Sequence, residues 1–378
     1  MKTRQRLLFI VNGLGMGNST RCYAVMRELM ALGYGVDVLT SGNGYDFFRQ
    51  RHDIGAVHLL RSLYYGKRGK RLSILYTFLA FPHFIWILLK NMRIASEIIR
   101  GGRYRAIVID SDYTLLLLRP FLRVPVIAVN NADVIVAEYQ KAPKPPCRFY
   151  AQFLIERMDL LFHRLVPDLV LSPWLEPRTA GDAKFWPIPV IVRGELEVRP
   201  ASPVLKNILV MLTGSQFKAF PAFLERLKER EGVHIDVLGC DGPSRGWITF
   251  HGKVRDNIEI LNRADLMVIN GGFSAVSEAV ALRKPAVVVP VEHHAEQFVN
   301  AAAVERLGLG LAATPEDVTD KINFMVEHFP LFVSRHQESP PTTPGRQKAA
   351  GVIHAFLNRV PGDAPRVLPE EESCDCLR

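Results

Sequence analysis

Apolar positions along the chain fall into short continuous runs, each ended by glycine or a polar turn and followed by residues at helical spacing. Leu7 to Val11 is the first run; a glycine loop, 13–17, follows at once, and apolar residues over 19–34 then recur at helical intervals, with Gly33 placed as a C-cap. Runs that are apolar at every position suit strands buried on both faces, the pattern of a parallel sheet covered by helices. VDVLT (36–40), AIVID (106–110), VPVIAVN (124–130) and DLVLSP (168–173) continue the series, and TLLLLRPFL (114–122) is predicted as a covering helix.

The pattern breaks between about 193 and 206, where EVRPASPVLK is polar and proline-containing, and then restarts. NILVMLTGSQ (207–216) repeats the strand-then-glycine theme, a helix is predicted over 220–231, and strands at HIDVLG and WITFHG. A helix over 254–264, the strand DLMVIN (265–270), a helix over 276–284 and the strand PAVVVPV (285–291) complete the set. The expected architecture is α/β, with two Rossmann-like domains, 1–195 and 205–335, facing each other across a cleft. A short helix over 345–358 and a polar tail, 359–378, expected to be disordered, follow.

A length of 378 residues with 48% hydrophobic composition is enough for two cores. The formal charge of +9 favours an anionic partner: a nucleotide diphosphate, acidic lipid or nucleic acid. Zinc-finger spacing, RNA-recognition aromatics and a long basic arm are absent from the sequence, so no nucleic-acid partner is expected. The five cysteines (Cys22, Cys147, Cys240, Cys374, Cys376) are scattered, which suits a reducing compartment, and the first apolar run reads as a strand and not as a secretory signal. The expected location is the cytoplasm, with peripheral attachment to the inner face of the membrane. Cys374 and Cys376 carry a metal-binding or lipidation reading against the plainer one of two thiols on a solvated tail.

The segment with most chemical content runs from Asn270 to Gly308. Gly271 and Gly272 after a strand let the backbone turn tightly and approach a ligand, and the next helix offers unpaired amides and the positive end of its dipole, a site for a diphosphate. Ser274 adds a hydroxyl, and Ser277 either does so or caps the helix. NGG-x-S-x-x-S-E at 270–278, E-Q-x-x-N-A at 296–301, TGS at 213–215 and the N-terminal glycine loop, in this order, resemble the signature of inverting glycosyltransferases with the two-domain B-type fold. The resemblance is to family 28 (lipid II-forming N-acetylglucosaminyltransferases, diacylglycerol glycosyltransferases) and to the related family 1. It implies that Glu278 accepts hydrogen bonds from the ribose, against a plain capping role, and that Glu296 and Gln297 hold the donor hexose while Asn300 supports their loop. Thr213, Gly214 and Ser215 form the loop after the second domain's first strand, where backbone amides can face the diphosphate, against the reading of a plain turn, and the matching place for contacts to the base is Gly252, Lys253 and Val254. His293 and His294 are candidates for phosphate or acceptor contacts against ordinary surface histidines.

Gly13, Gly15 and Gly17 resemble the family's acceptor-side loop, but Asn18 stands where a histidine is usual, with Arg21 retained. In the resembling enzymes that histidine is a candidate general base; asparagine cannot accept a proton near neutral pH. Asp112, directly after a strand, is the replacement candidate, Asp110 the nearby alternative, and capping of the next helix the competing reading for both. Asp110-Ser111-Asp112 has metal-binding spacing but lies in the acceptor half, so neither a metal nor a cofactor beyond the UDP-sugar co-substrate is expected.

The function these residues imply is transfer of a hexose (GlcNAc-like, glucose or glucuronate) from a UDP-sugar to a lipid-linked, glycan or membrane-associated acceptor. The alternatives are a catalytically silent sugar-nucleotide-binding subunit and a UDP-sugar epimerase of the same fold. The apolar run 72–89, bordered by Lys67, Arg68, Lys70, Arg71, Lys90 and Arg93, reaches the lower edge of a membrane span. Pro82 and His83 interrupt it, and a span there would split strands that share one sheet. Two readings stay open for 67–93: helices packed on the first domain, and an apolar patch with a basic rim resting on anionic lipid.

Overall fold

The computed structural model describes residues 5–62, 67–68, 71–72, 81–141, 150–179, 182–198, 202–212, 231–254, 256–338 and 344–359. The expectations for Thr213, Gly214 and Ser215, for nearly all of the helix at 220–231, for Cys147 and for the tail with Cys374 and Cys376 lie outside the described residues.

In the first half, β1 (Arg6–Val11), β2 (Gly35–Thr40) and β3 (Val57–Leu59) precede a two-residue antiparallel pair, β4 (Lys67–Arg68) and β5 (Arg71–Leu72). β6 (Ala106–Asp110), β7 (Val126–Val129), β8 (Leu169–Trp174) and β9 (Phe185–Pro189) follow. Seven of these form one parallel sheet in the order β3-β2-β1-β6-β7-β8-β9. Leu7 to Val11 are 0–1% exposed, each burying side chain worth roughly 1.5–3 kcal/mol, which is why this run is apolar at every position.

The helices α1 (Met16–Ala31) and α2 (Gly42–Arg49) cover one face of the sheet. The other face carries α3 (Phe81–Gly102), the 113–122 segment and α5 (Tyr150–Leu165), while α4 (Ala132–Lys141) lies toward the second half. The 114–122 segment is not the predicted helix. It is a series of turns ending in a single 3-10 turn, Arg119–Phe121, because Pro120 ends regular helix and the Arg119 guanidinium is drawn to the Val166 carbonyl (2.8 Å) and Asp168 (2.6 Å). Pro82 marks the first turn of α3 and does not interrupt a helix. β9, with Pro187 and Pro189, escapes the sequence reading, and its position at the sheet edge is where proline is tolerated.

The second half has β10 (Asn207–Met211), β11 (His234–Leu238), β12 (Ile248–Phe250), β13 (Leu266–Asn270), β14 (Ala286–Val289) and β15 (Gly310–Ala312). They form a parallel sheet in the order β12-β11-β10-β13-β14-β15. Helices α6 (Ile258–Arg263), α7 (Phe273–Ala281) and α8 (Ala295–Arg306) pack on one face, α9 (Val318–Glu327) and α10 (Phe329–Glu338) on the other. The buried Lys284 ammonium closes the end of α6 by donating to the carbonyls of Leu261 and Asn262 at 2.7 and 2.8 Å and to that of Ala264.

In both sheets the strand order reverses beside the first strand, between β1 and β6 and between β10 and β13. Such switch points open a crevice at the carboxyl ends of the strands, where ligands of α/β proteins bind. The halves meet through an apolar cluster in which Val134, Tyr139, Phe153 and Trp174 pack on Phe273, Ala295 and Val299. The Trp174 and Phe273 rings stack 5.9 Å apart. The chain then returns to the first half. α11 (Gly345–Leu357) packs on α1, with Arg346 on Glu28 (2.9 Å) and His354 on Tyr34 (3.0 Å), so this helix completes the first domain's core.

Candidate active site in the interdomain cleft

The loop after β13 is built around backbone contact. A Cβ on Gly271 would stand 2.5 Å from the Gln297 carbonyl oxygen, so only glycine lets this turn press against the first turns of α8. The Asn300 amide donates to the Gly271 carbonyl at 2.9 Å, the supporting role expected of it. Gly272 then starts α7 without any side-chain cap, and among the described residues no atom from outside its own turn stands within 4 Å of where its Cβ would be. The first amides of the helix are therefore free to meet an anion. Gln297 and Glu296 sit in the first turn of α8. The Gln297 side-chain Oε1 accepts from the Val291 amide at 3.0 Å, which secures the loop after β14, where His293 holds φ +63. At the rim, Val254 is 39% exposed, two residues beyond Gly252, whose φ is +59.

The N-terminal glycine loop meets this structure from the other side. Gly15 begins α1, again without a side-chain cap, and a Cβ on Gly13 would strike the Ser41 carbonyl. A Cβ on Gly17 would lie 2.5 Å from the Ser274 hydroxyl oxygen, so the helix start in one half touches the helix start in the other.

Beneath that contact Arg21 is buried and grips Asp110, with Nε on Oδ2 at 3.0 Å and Nη2 on Oδ1 at 2.6 Å; it also donates to Asn18 Oδ1 at 3.3 Å. The Cys22 thiol and Ser111 hydroxyl complete the shell of Asp110, which is fully buried. Arg21, Asn18 and Asp110 thus form an internal brace under the loop. Asn12 ties the two loops of this half together, its amide groups donating to the carbonyls of Asp110 and Ser111 at 3.0 Å each. Ser111 adopts φ +51, and the chain then presents Asp112, half-buried, with Oδ1 accepting from the Thr114 amide at 2.8 Å. Burial raises the Asp112 carboxyl above the usual carboxylate range against the opposing effect of Thr114.

Two further features face the cleft. Glu278, 8% exposed, accepts from Arg193, whose Nη1 also donates to Asn257 at 2.9 Å. Burial pushes the Glu278 carboxyl up, and the guanidinium pulls it back. On α5, Gln152 accepts from the Ala295 amide at 3.0 Å, and one turn on Glu156 is pushed well up by burial and by the charges of Glu296 and Asp159.

A family model described as Glycosyl transferase family 1 matches residues 5–330, across both halves and the cleft between them. The chain belongs to glycosyl transferase family 1. A protein of Methanosarcina mazei named as an uncharacterized glycosyltransferase is 23% identical over 360 residues, 85% of this chain and 90% of that one. A shorter match, 29% over 80 residues (20% of this chain, 23% of the other), is to a Clostridium kluyveri protein. That protein is named UDP-N-acetylglucosamine--N-acetylmuramyl-(pentapeptide) pyrophosphoryl-undecaprenol N-acetylglucosamine transferase. The crystal structure of Acinetobacter baumannii MurG superposes with a TM-score of 0.59 at 16% identity, covering 93% of this chain and 99% of that one, which shows the shared B-type fold.

In this glycosyltransferase Gly271, Gly272, Ser274, Glu278, Glu296 and Gln297 are brought to one end of the second sheet, and Gly13, Gly15, Gly17 and Asp112 to the facing end of the first. The sequence reading missed Arg193, Asn257 and Glu156. Arg193 sits in what read as featureless linker, and α5 follows a proline-rich stretch with no motif to mark it. Among the described residues no group of three or more His, Cys, Asp or Glu could hold a metal ion.

Proposed function

We propose that this glycosyltransferase moves a hexose, with inversion, from a UDP-sugar to a hydroxyl of a lipid-linked acceptor held by the first half. The observation that carries the reading is the contact of Gly17 with Ser274, which aims two uncapped helix starts at one point. A diphosphate at the α7 start would gain hydrogen bonds from its free amides and the favourable end of its dipole. Both strengthen as the leaving group takes up charge. Glu278 would receive the ribose, and Glu296 the hexose. Asp112, its basicity raised by burial, would take the proton from the acceptor hydroxyl as that oxygen attacks the anomeric carbon and the bond to the diphosphate breaks. The Clostridium kluyveri relative, named for a UDP-sugar donor and an undecaprenol-linked acceptor, supports both substrate classes.

A lipid-linked acceptor is supported by the outer face of the first half. α3 exposes Ile85, Trp86 and Leu89, with Arg61 and Lys90 over the Trp86 ring at 4.8 and 5.7 Å. On the same side of the sheet Leu117 and Phe121 are exposed, and α5 shows Leu154, Met158, Leu161 and Leu165 beside Arg157 and Arg164. Apolar side chains interleaved with cations suit an anionic bilayer surface. No helix among the described residues is long and apolar enough to cross a membrane.

The test is to incubate the protein with UDP-hexoses, with and without polyprenyl-phosphate or diacylglycerol acceptors in vesicles, and to measure free UDP. The reading requires UDP release that depends on the acceptor. Conversion of the UDP-sugar without any acceptor would show an epimerase, and UDP binding without release under all conditions a silent subunit.

A further inference from the structure

The segment between the two sheets carries one guanidinium that the donor-site reading leaves unused. Val190 packs in the cluster where the halves meet and Ile191 in a core of the first half, while Leu196 packs in the second half and the Glu197 amide donates to Asn262 at 3.1 Å. Arg193 is therefore at the point where the chain crosses. Its side chain is 15% exposed, and all three of its nitrogens are engaged: Nε and Nη2 each lie 2.9 Å from Glu278 Oε1, and Nη1 lies 2.9 Å from Asn257 Oδ1. Asn257 is the N-cap residue of α6 and donates its own amide to the Met211 sulfur, at the end of β10. The crossing point is thus pinned to α7 and to the start of α6 in the donor half, and through Asn257 to the end of β10.

Both Arg193 contacts fall on the same carboxylate oxygen. Among the described residues no hydrogen bond falls on Glu278 Oε2, and Arg193 is the charged group that acts on this carboxyl. A carboxyl 8% exposed on an apolar helix would otherwise favour its neutral form, which accepts hydrogen bonds more weakly than the ionised one. We infer that Arg193 is a positioning residue for donor recognition: it holds Glu278 ionised and oriented, with Oε2 left for a ribose hydroxyl, and so makes ribose selectivity depend on the interdomain crossing.

This inference rests on the reading of Glu278 as the ribose acceptor, and the experiment separates the two. Binding of UDP and of 2′,3′-dideoxy-UDP to the full chain is measured by calorimetry from about pH 6 to about 8.5, a window wide enough to cross a raised carboxyl pKa. The unmodified protein should prefer UDP by about tenfold, the scale of one charge-assisted hydrogen bond, with little pH dependence. In Arg193→Met the carboxyl pKa should rise further, so the preference should be lost at the acid end and return as pH rises and Glu278 ionises. Arg193→Lys, which restores the charge, should restore the flat profile. A side chain that merely tethers the linker would lower both affinities equally at every pH. Should Arg193→Met fail to fold, Arg193→Gln, a hydrogen-bond donor without charge, carries the same expectation. If Glu278→Gln abolishes the preference while the uncharged Arg193 variants keep it with a flat profile, the inference is overturned and the donor-site reading stands. If the unmodified protein does not distinguish the two nucleotides, the donor-site reading itself falls.

Discussion

Two aspartates at the end of β6 have opposite environments, and the roles proposed for them follow from the difference. Asp110 is fully buried and spends its oxygens on Arg21, Cys22 and Ser111, so its removal leaves a buried guanidinium without its partner. Asp110→Asn should destabilise the protein by roughly 3–5 kcal/mol, read as a lower midpoint in urea unfolding. Asp112 has one oxygen on a turn amide and a carboxyl raised by burial. Asp112→Asn should leave the unfolding free energy within about 1 kcal/mol of the unmodified protein's and UDP affinity unchanged, and lower kcat by roughly 10²–10⁴-fold. Since the base must be ionised, kcat of the unmodified protein should fall as pH drops through that raised pKa. A pH-independent kcat, or an active asparagine variant, would remove Asp112 from the role.

At the scale of elements, the site depends on helix starts approaching closely enough that glycine is required. Gly17→Val should keep the core of each half, because the clash is with Ser274 across the cleft and not within the sheet. It should hold the halves apart, so that kcat/KM falls about a hundredfold while thermal stability stays within a few degrees. Equal losses of stability and activity would contradict this. The strands buried on both faces were legible because their apolar runs are continuous, and the tight turn after β13 because two glycines follow its apolar run. The turns at 114–122 were not, since four consecutive leucines satisfy helical spacing equally well and only Pro120 and the reach of Arg119 to Val166 decide between the two. Nor was the Arg21–Asp110 brace, whose members are 89 residues apart, or the return of α11 to α1, because pairings between distant segments leave no mark on local periodicity.

On the scale of the whole molecule, the chain carries a formal charge of +9, and an outer face of exposed apolar and cationic side chains lies on the half that holds Asp112, the proposed base. Trp86→Glu combined with Met158→Glu should abolish flotation with anionic vesicles at low salt while leaving UDP binding intact. Flotation equal to that of the unmodified protein would separate the acceptor from this face. The central claim is that the donor diphosphate and ribose sit between the two glycine loops, against the start of α7. Amide hydrogen exchange of the full chain with and without saturating UDP tests it most directly. Exchange should slow over 271–278, with a smaller effect at 13–18 across the cleft; slowing confined to other segments, or none at saturation, would contradict the account.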